Sequence, residues 1–285
     1  MPVLAIFGAG GNMGTRAVNA LVDDSDFSLL YVETSEKGQS KLKDRNLKVT
    51  SSQEALEVAD FVLLAVPDAL IGTVAHSVVP KMKTGAMMIC LDPAAPFGGQ
   101  LPTREDVSYF VVHPAHPPIF NDEPTMEARR DFFGSNIAKQ SIVCALMQGP
   151  ESDYAKGEQI GIKLFQPILR SHRVTVEQMA TLEPVLSETV AATCLSVIRE
   201  ALDETVRRGV PHEAARDFLL GHLNIELAIL FDETHWEFSA GCKKAIEDGK
   251  SKLIKPDWKR VFERDEMLAS VESITGKIIQ QVESE

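Results

Sequence analysis

The stretch Val3–Val22, VLAIFGAGGNMGTRAVNALV, joins three pieces of different periodicity. VLAIF is a short apolar run, GAGGNMG is a glycine-rich turn, and in TRAVNALV the residues Ala17, Ala20 and Leu21 recur at helical spacing. Glycine lacks Cβ, so its backbone can approach a phosphate closely, and a helix start adds N–H donors and partial positive charge. Gly8, Gly11 and Gly14 form G-x-x-G-x-x-G, one residue longer than the usual G-x-G-x-x-G, with Asn12 and Met13 at the helix start. A tight turn without a ligand is the competing reading. Glu33 argues against it, because it closes the next apolar run, FSLLYVE, 19 residues after Gly14. A carboxylate there accepts hydrogen bonds from the adenosine ribose hydroxyls and repels a 2′-phosphate, so NAD is expected in preference to NADP.

The same alternation continues outward. Helical SQEALEVA leads to DFVLLAVP, a run apolar throughout, as suits a parallel strand covered on both faces. LIGTVAHSVVPKM reads as a helix, GAMMICLDPAA as a strand, and SYFVVHPAHPP as another strand ending in prolines. Strands alternating with helices predict an α/β fold, an N-terminal Rossmann-type doubly wound parallel sheet, filling the chain to about residue 120. QSIVCALMQG offers one more strand, and the remainder is helical, with Pro184 predicting a kink or boundary near Glu183. The expected division is a dinucleotide-binding domain over 1–150 and an all-helical substrate and dimerisation domain over 151–285.

The 285 residues carry 29 Lys+Arg against 41 Asp+Glu, a net charge of −12 that argues against a nucleic-acid or anionic-membrane surface. Four widely spaced cysteines give no zinc or redox spacing and fit reduced thiols, so a cytoplasmic protein is expected. No apolar run reads as long enough to span a bilayer, and no secretory leader is visible. Residues 176–208 have apolar positions on more than one narrow stripe, Met179, Leu182, Leu186, Val190 and Leu195 among them, which predicts a homodimer.

Three places carry candidate chemistry. Val66, Pro67 and Asp68, in AVPD, end a middle strand at its carboxyl edge, where ligands of open α/β sheets lie; they are read as cofactor-binding, against a plain strand exit. His113 and His116, in HPAHPPIF, stand three apart in a proline-stiffened segment and suit metal ligation or acid–base work, against two ordinary loop histidines. Glu188, in LSETVAATC, is an acid among apolar and small residues; such an acid is either on a solvated face or buried with a partner or metal. Glu183 is a rival acid, set aside because Pro184 suggests a helix start.

With GAGGNMG, Glu33, AVPD, HPAHPPIF, LSETVAATC and the tail IKPDWKRVFERDEMLASVESITGK in place, the whole chain resembles the D-apionate oxidoisomerase family. That family is related to 6-phosphogluconate and 3-hydroxyacid dehydrogenases and has a phosphogluconate-dehydrogenase-like C-terminal domain. The longer glycine turn departs from the 6-phosphogluconate enzymes, so their catalytic residues are not carried over. The resemblance implies NAD-dependent oxidation of a branched sugar acid with one divalent cation, zinc, manganese or magnesium, held by His116 and Glu188. His113, His116 and Glu188 are then the catalytic candidates, His113 as the base for a hydroxyl proton. Two other readings stay open: a 3-hydroxyacid dehydrogenase without rearrangement, and an NAD-sensing regulatory protein.

Overall fold

The opening stretch folds as its periodicity predicts. In the computed structural model, which describes residues 1–135 and 137–276, strand β1 (Val3–Phe7) enters the glycine turn and helix α1 (Asn12–Leu21) starts directly after Gly11. There follow β2 (Ser28–Val32), α2 (Glu36–Asp44), α3 (Ser52–Val58), β3 (Phe61–Leu64), α4 (Asp68–Val78), β4 (Met87–Cys90), α5 (Ala94–Phe97), β5 (Ser108–Pro114) and α6 (Met126–Arg129). Then come β6 (Gln140–Gln148), α7 (Ser152–Phe165), β7 (Ile168–Arg173) and α8 (Val176–Ala180). The ends are fixed locally: Ser35 caps α2 through Gly38 N–H, and Ser51 with Glu54 forms a capping box on α3.

One seven-stranded sheet runs in the order β2-β1-β3-β4-β5-β6-β7. Every pair is parallel except β5 with β6, which is antiparallel. Both faces are covered. Leu4 and Ile6 of β1 pack with Ala17 and Leu21 of α1 and with Ile160 and Leu164 of α7 on one side. Ala5 and Phe7 pack with Leu56 of α3 and Ile71 of α4 on the other. Alternate residues of one strand thus enter opposite layers, which is why these strands read as unbroken apolar runs. Each large side chain fully buried in this way contributes roughly 1.5–3 kcal/mol.

The chain divides into two compact units: the described part of Met1–Pro184 with that of Met267–Glu285, and Val185–Glu266. By contacts the chain thus divides at Pro184, where the sequence suggests a functional division after residue 150. Beyond residue 150, α7 buries Ile160, Leu164 and Phe165 in the same core as β1, and β7 pairs with β6. β7 escapes notice in the sequence because, as an edge strand with the sequence ILRSHR, it shows no apolar alternation.

Helix α8 gives way at Thr181 to a π-helical segment, Thr181–Ala192, and then to α9 (Thr193–Arg207), so the change expected near Glu183 is one of helix type. Proline in an α-helix collides with the carbonyl four residues back; π-type bonding moves that carbonyl out of register, which accommodates the ring. The second unit, described by itself, adds α10 (His212–Leu230) and α11 (Ala240–Leu253), and α12 (Arg264–Thr275) follows. The part of the expected helical remainder beyond residue 276 lies outside the described residues. One expectation is corrected: the 32-residue helical stretch Val176–Arg207 is long and apolar enough to cross a membrane, by length and composition alone. Two carboxylates, Glu183 and Glu188, hid it from a search for an uninterrupted apolar run.

Candidate functional site

The dinucleotide cradle is built by close backbone approach. Gly8 has φ +81, and a Cβ there would stand 2.6 Å from the Ala65 carbonyl oxygen at the end of β3. Gly11 N–H donates to the Gly8 carbonyl at 2.9 Å, and Gly11 caps α1 with its backbone. This turn delivers the first N–H groups of α1, at Asn12 and Met13, to the carboxyl edge of the sheet, where a helix start leaves them without intrahelical partners. The first turn of α1 holds no acidic residue that would compete with a phosphate. Gly14 packs against Gly8 and Ala9, so the helix approaches the strand as closely as a pyrophosphate site requires.

Glu33 follows β2 and ties the glycine turn to it. Its Oε2 accepts the Gly10 N–H at 2.9 Å, and its Oε1 accepts the N–H groups of Thr34 and Ser35 and the Ser35 hydroxyl, each at 2.9 Å. Burial pushes its pKa up, but the bonds from Ser35, Gly10 and Thr34 outweigh it, so the carboxyl is held below its ordinary value. The glycine turn and the Glu33 carboxylate are therefore one hydrogen-bonded assembly. Val66 is half-buried beside Gly8, and Pro67 opens α4.

The parallel run of β3, β4 and β5 brings three further groups to the same edge: Asp68 at the start of α4, Asp92 just past β4, and His113 near the end of β5. His113 Nδ1 donates to the Leu91 carbonyl at 2.8 Å, and its Nε2 lies 3.3 Å from Glu183 Oε2. Burial pulls the His113 pKa down; the hydrogen bond and charge of Glu183 outweigh it, and the net shift is upward. For Glu183, burial pushes up and His113 pulls down, and the net shift is downward. Asp92, through burial and then the neighbouring Asp68 charge, is pushed up to about 6. Asp68 is also raised, by burial and the Glu183 charge against the pull of His113. Carboxyls displaced in opposite directions around one imidazole make this the candidate acid–base cluster.

His116 lies beyond β5 with φ +59, the left-handed region that a non-glycine residue adopts at a cost. Its Nδ1 donates to the Phe133 carbonyl at 3.1 Å, and its ring packs on the Phe133 ring with centroids 5.2 Å apart. The two imidazoles are perpendicular, with centroids 6.4 Å apart. Since a carbonyl only accepts, the Nε2 of neutral His116 carries the lone pair. The pairing of acid with histidine that the structure shows is Glu183 with His113. Pro184 diverts a local reading of the sequence from Glu183, and no local pattern marks Asp92 just past β4. Glu188 is exposed in the second unit, five residues further along the π-helical segment. Among the described residues, no group of three or more His, Cys, Asp or Glu side chains is assembled to hold a metal ion.

A dinucleotide cradle beside a half-buried acid–base cluster defines an NAD-dependent oxidoreductase. Comparisons with known proteins narrow the class. Residues 3–120 match the NADPH-binding domain of acetohydroxy acid isomeroreductase, and residues 121–275 match the C-terminal domain of decarboxylating phosphogluconate dehydrogenase. The chain is 55% identical over 273 residues to a D-apionate oxidoisomerase of Cupriavidus necator, covering 95% of this chain and 99% of that protein. It is likewise 55% identical over 276 residues to the D-apionate oxidoisomerase of Rhizobium rhizogenes, covering 96% and 100%. A crystal structure of a semialdehyde dehydrogenase NAD-binding protein from Cupriavidus necator, in complex with calcium and NAD, superposes with a TM-score of 0.94 at 54% identity, covering 96% of this chain and 100% of that one. The chain belongs to the D-apionate oxidoisomerase family.

Proposed function

We propose that this chain oxidises D-apionate with NAD and rearranges the product to 3-oxo-isoapionate. The observation that carries the reading is 55% identity, across nearly the whole length, to a D-apionate oxidoisomerase. The substrate has a secondary hydroxyl beside its carboxylate and a tertiary carbinol bearing two hydroxymethyl groups. Loss of the secondary hydroxyl proton and of hydride from the same carbon gives a ketone next to the tertiary alcohol. Loss of the tertiary hydroxyl proton then lets one hydroxymethyl migrate, with its bonding pair, to the neighbouring carbonyl carbon. The old carbonyl becomes a hydroxyl and the tertiary carbon becomes the new ketone, so the atoms balance.

NAD, when bound, supplies the hydride acceptor, held by Gly8, Gly11, Gly14 and the N–H groups of Asn12 and Met13, with Val66 and Pro67 beside it. Glu33 takes the ribose hydroxyls and disfavours a 2′-phosphate. His113 and Glu183 exchange the hydroxyl protons as a unit: Leu91 occupies Nδ1, Nε2 handles the proton, and Glu183 stabilises the imidazolium that forms. Asp68 and Asp92 flank that pair, and their raised pKa values mark negative charge there as costly. His116 and Glu188 are the residues that would hold a divalent cation. The donor chemistry fits, since His116 presents Nε2 with Nδ1 anchored on a carbonyl, as ligating imidazoles do. The cation, when bound, supplies Lewis acidity toward the adjacent oxygens.

A homodimer in the cytoplasm completes the reading. In its support, the second unit leaves Leu195, Val197, Phe218 and Leu220 exposed on α9 and α10, as suits faces awaiting a second copy. The test is D-apionate turnover after treatment with a chelator, beside His116→Ala and Glu188→Gln. Each should abolish turnover and leave NAD affinity nearly unchanged. Full activity after chelation, or loss of NAD binding in either variant, contradicts the assignment.

A further inference from the structure

Arg16 stands on α1 two residues after Gly14, and only 6% of it is exposed. A buried guanidinium is costly, and here burial lowers its pKa to about 10 against the opposing pull of Asp131. The surroundings explain why it is retained. One terminal nitrogen donates to the Phe133 carbonyl at 3.4 Å and the other to the Gly134 carbonyl. The guanidinium carbon lies 5.1 Å from the centre of the Phe133 ring and 4.8 Å from that of Phe165. Its Nε is buried and finds no hydrogen-bond partner among the described residues. The loop it grips is held elsewhere as well: Asp131 accepts N–H bonds from Gly134, Ser135, Ile137 and Ala138. Gln140 donates to the carbonyls of Gly134 and Phe165.

The Phe133 carbonyl that receives Arg16 is the same one that receives His116 Nδ1, and the Phe133 ring packs against both the guanidinium and the imidazole. We infer that Arg16 is a positioning residue: it fixes the Phe133 peptide from the cofactor helix, so that His116 is held with its proton on Nδ1 and Nε2 facing the ligand. Two weak anchors, one carbonyl and one ring, restrain a His116 whose own backbone is in the left-handed region. Without Arg16 both anchors move together. That His116 has a ligand to face rests on the function proposed above; the strut itself does not.

The experiment is nitrogen NMR of labelled histidines in the NAD-bound protein without added cation, beside steady-state kinetics, for the native chain, Arg16→Met and Arg16→Lys. Met fills the space between the rings without a donor, and Lys keeps the charge but offers no planar fork. The native protein should show His116 as the Nδ1–H tautomer. Arg16→Met should show mixed tautomers and a ten- to hundredfold lower kcat, roughly the cost of losing an orienting partner, with KM for NAD changed less than about threefold. Arg16→Lys should fall between. A native His116 protonated on Nε2 overturns the inference outright, even if Arg16→Met fails to fold. So does a folded Arg16→Met, or an Arg16→Lys read in its place, with the native tautomer and kcat. If the native chain does not turn over D-apionate and the tautomer still shifts, the proposed substrate fails and the strut stands.

Discussion

Replacing Asp92 by Asn should stabilise this protein at neutral pH and not at acid pH. The Asp92 carboxyl accepts the Ala94 N–H at 2.7 Å; burial first, and the Asp68 charge second, push its pKa up to about 6. An aspartate in the unfolded chain titrates near 3.9. Between about pH 4 and 6 the unfolded chain has released this proton and the folded chain has kept it, so stability falls as pH rises through that window. Above it the full difference of about 2 pKa units is lost, about 3 kcal/mol at 1.36 kcal/mol per unit. Below about pH 4 both states are protonated and nothing is lost. Asparagine keeps the acceptor for Ala94 and presents an N–H donor to the remaining carboxylates. The expected gain is therefore about 2–3 kcal/mol at pH 7, about 5–10 °C in Tm for a chain of this size, shrinking toward zero at pH 4. Thermal unfolding of both proteins at matched pH values reads the difference with all other titrations common to both. A variant less stable than the parent at pH 7, or a gain that persists unchanged into acid, refutes the electrostatic account of the cluster.

Three further outcomes follow from the same geometry. Glu33→Ala should relax the preference for NAD over NADP in binding titrations, and also cost about 1–3 kcal/mol of stability, because the donors on Gly10, Thr34 and Ser35 lose their acceptor; equal native affinity for both cofactors sinks the first part. Glu183→Gln should move the acid limb of the pH profile of kcat/KM to lower pH, since it removes the partner that raises His113 and leaves the burial that lowers it; an unmoved limb excludes the pair from the rate-limiting proton transfer. Sedimentation at micromolar concentration should report a dimer, and a monomer there contradicts the reading of the exposed faces of α9 and α10.

The sheet was legible because its strands are covered on both faces and its turns are punctuated by glycine and proline. Leu4 and Ile6 against Ala5 and Phe7 leave no polar position to confuse the pattern. β7 was not legible, since an edge strand is held by backbone pairing with β6 and not by its own apolar content. Glu33 and the two histidines could be placed because strand ends converge at one edge of an open sheet. Glu183 could not: nothing in LEPVL says that Pro184 rides inside a π-helical segment, and His113 finds its acid 70 residues away along the chain. Arg16 was silent for the same reason, since its partners Phe133 and Gly134 lie in a loop with no periodicity. Pairings across such distances are products of packing, and local pattern carries no trace of them.

The most direct test of the account follows the carbon skeleton. D-apionate labelled with carbon-13 at the secondary carbinol carbon and, at random, at one or the other hydroxymethyl carbon is incubated with the protein, NAD and a divalent cation, and the product is read by NMR. The account predicts NADH formation together with a new direct bond, seen as carbon–carbon coupling between the two labels in the half of the molecules whose labelled hydroxymethyl migrates. NADH formation with the labels still separated by the tertiary carbon would reduce the protein to a simple dehydrogenase and contradict the rearrangement.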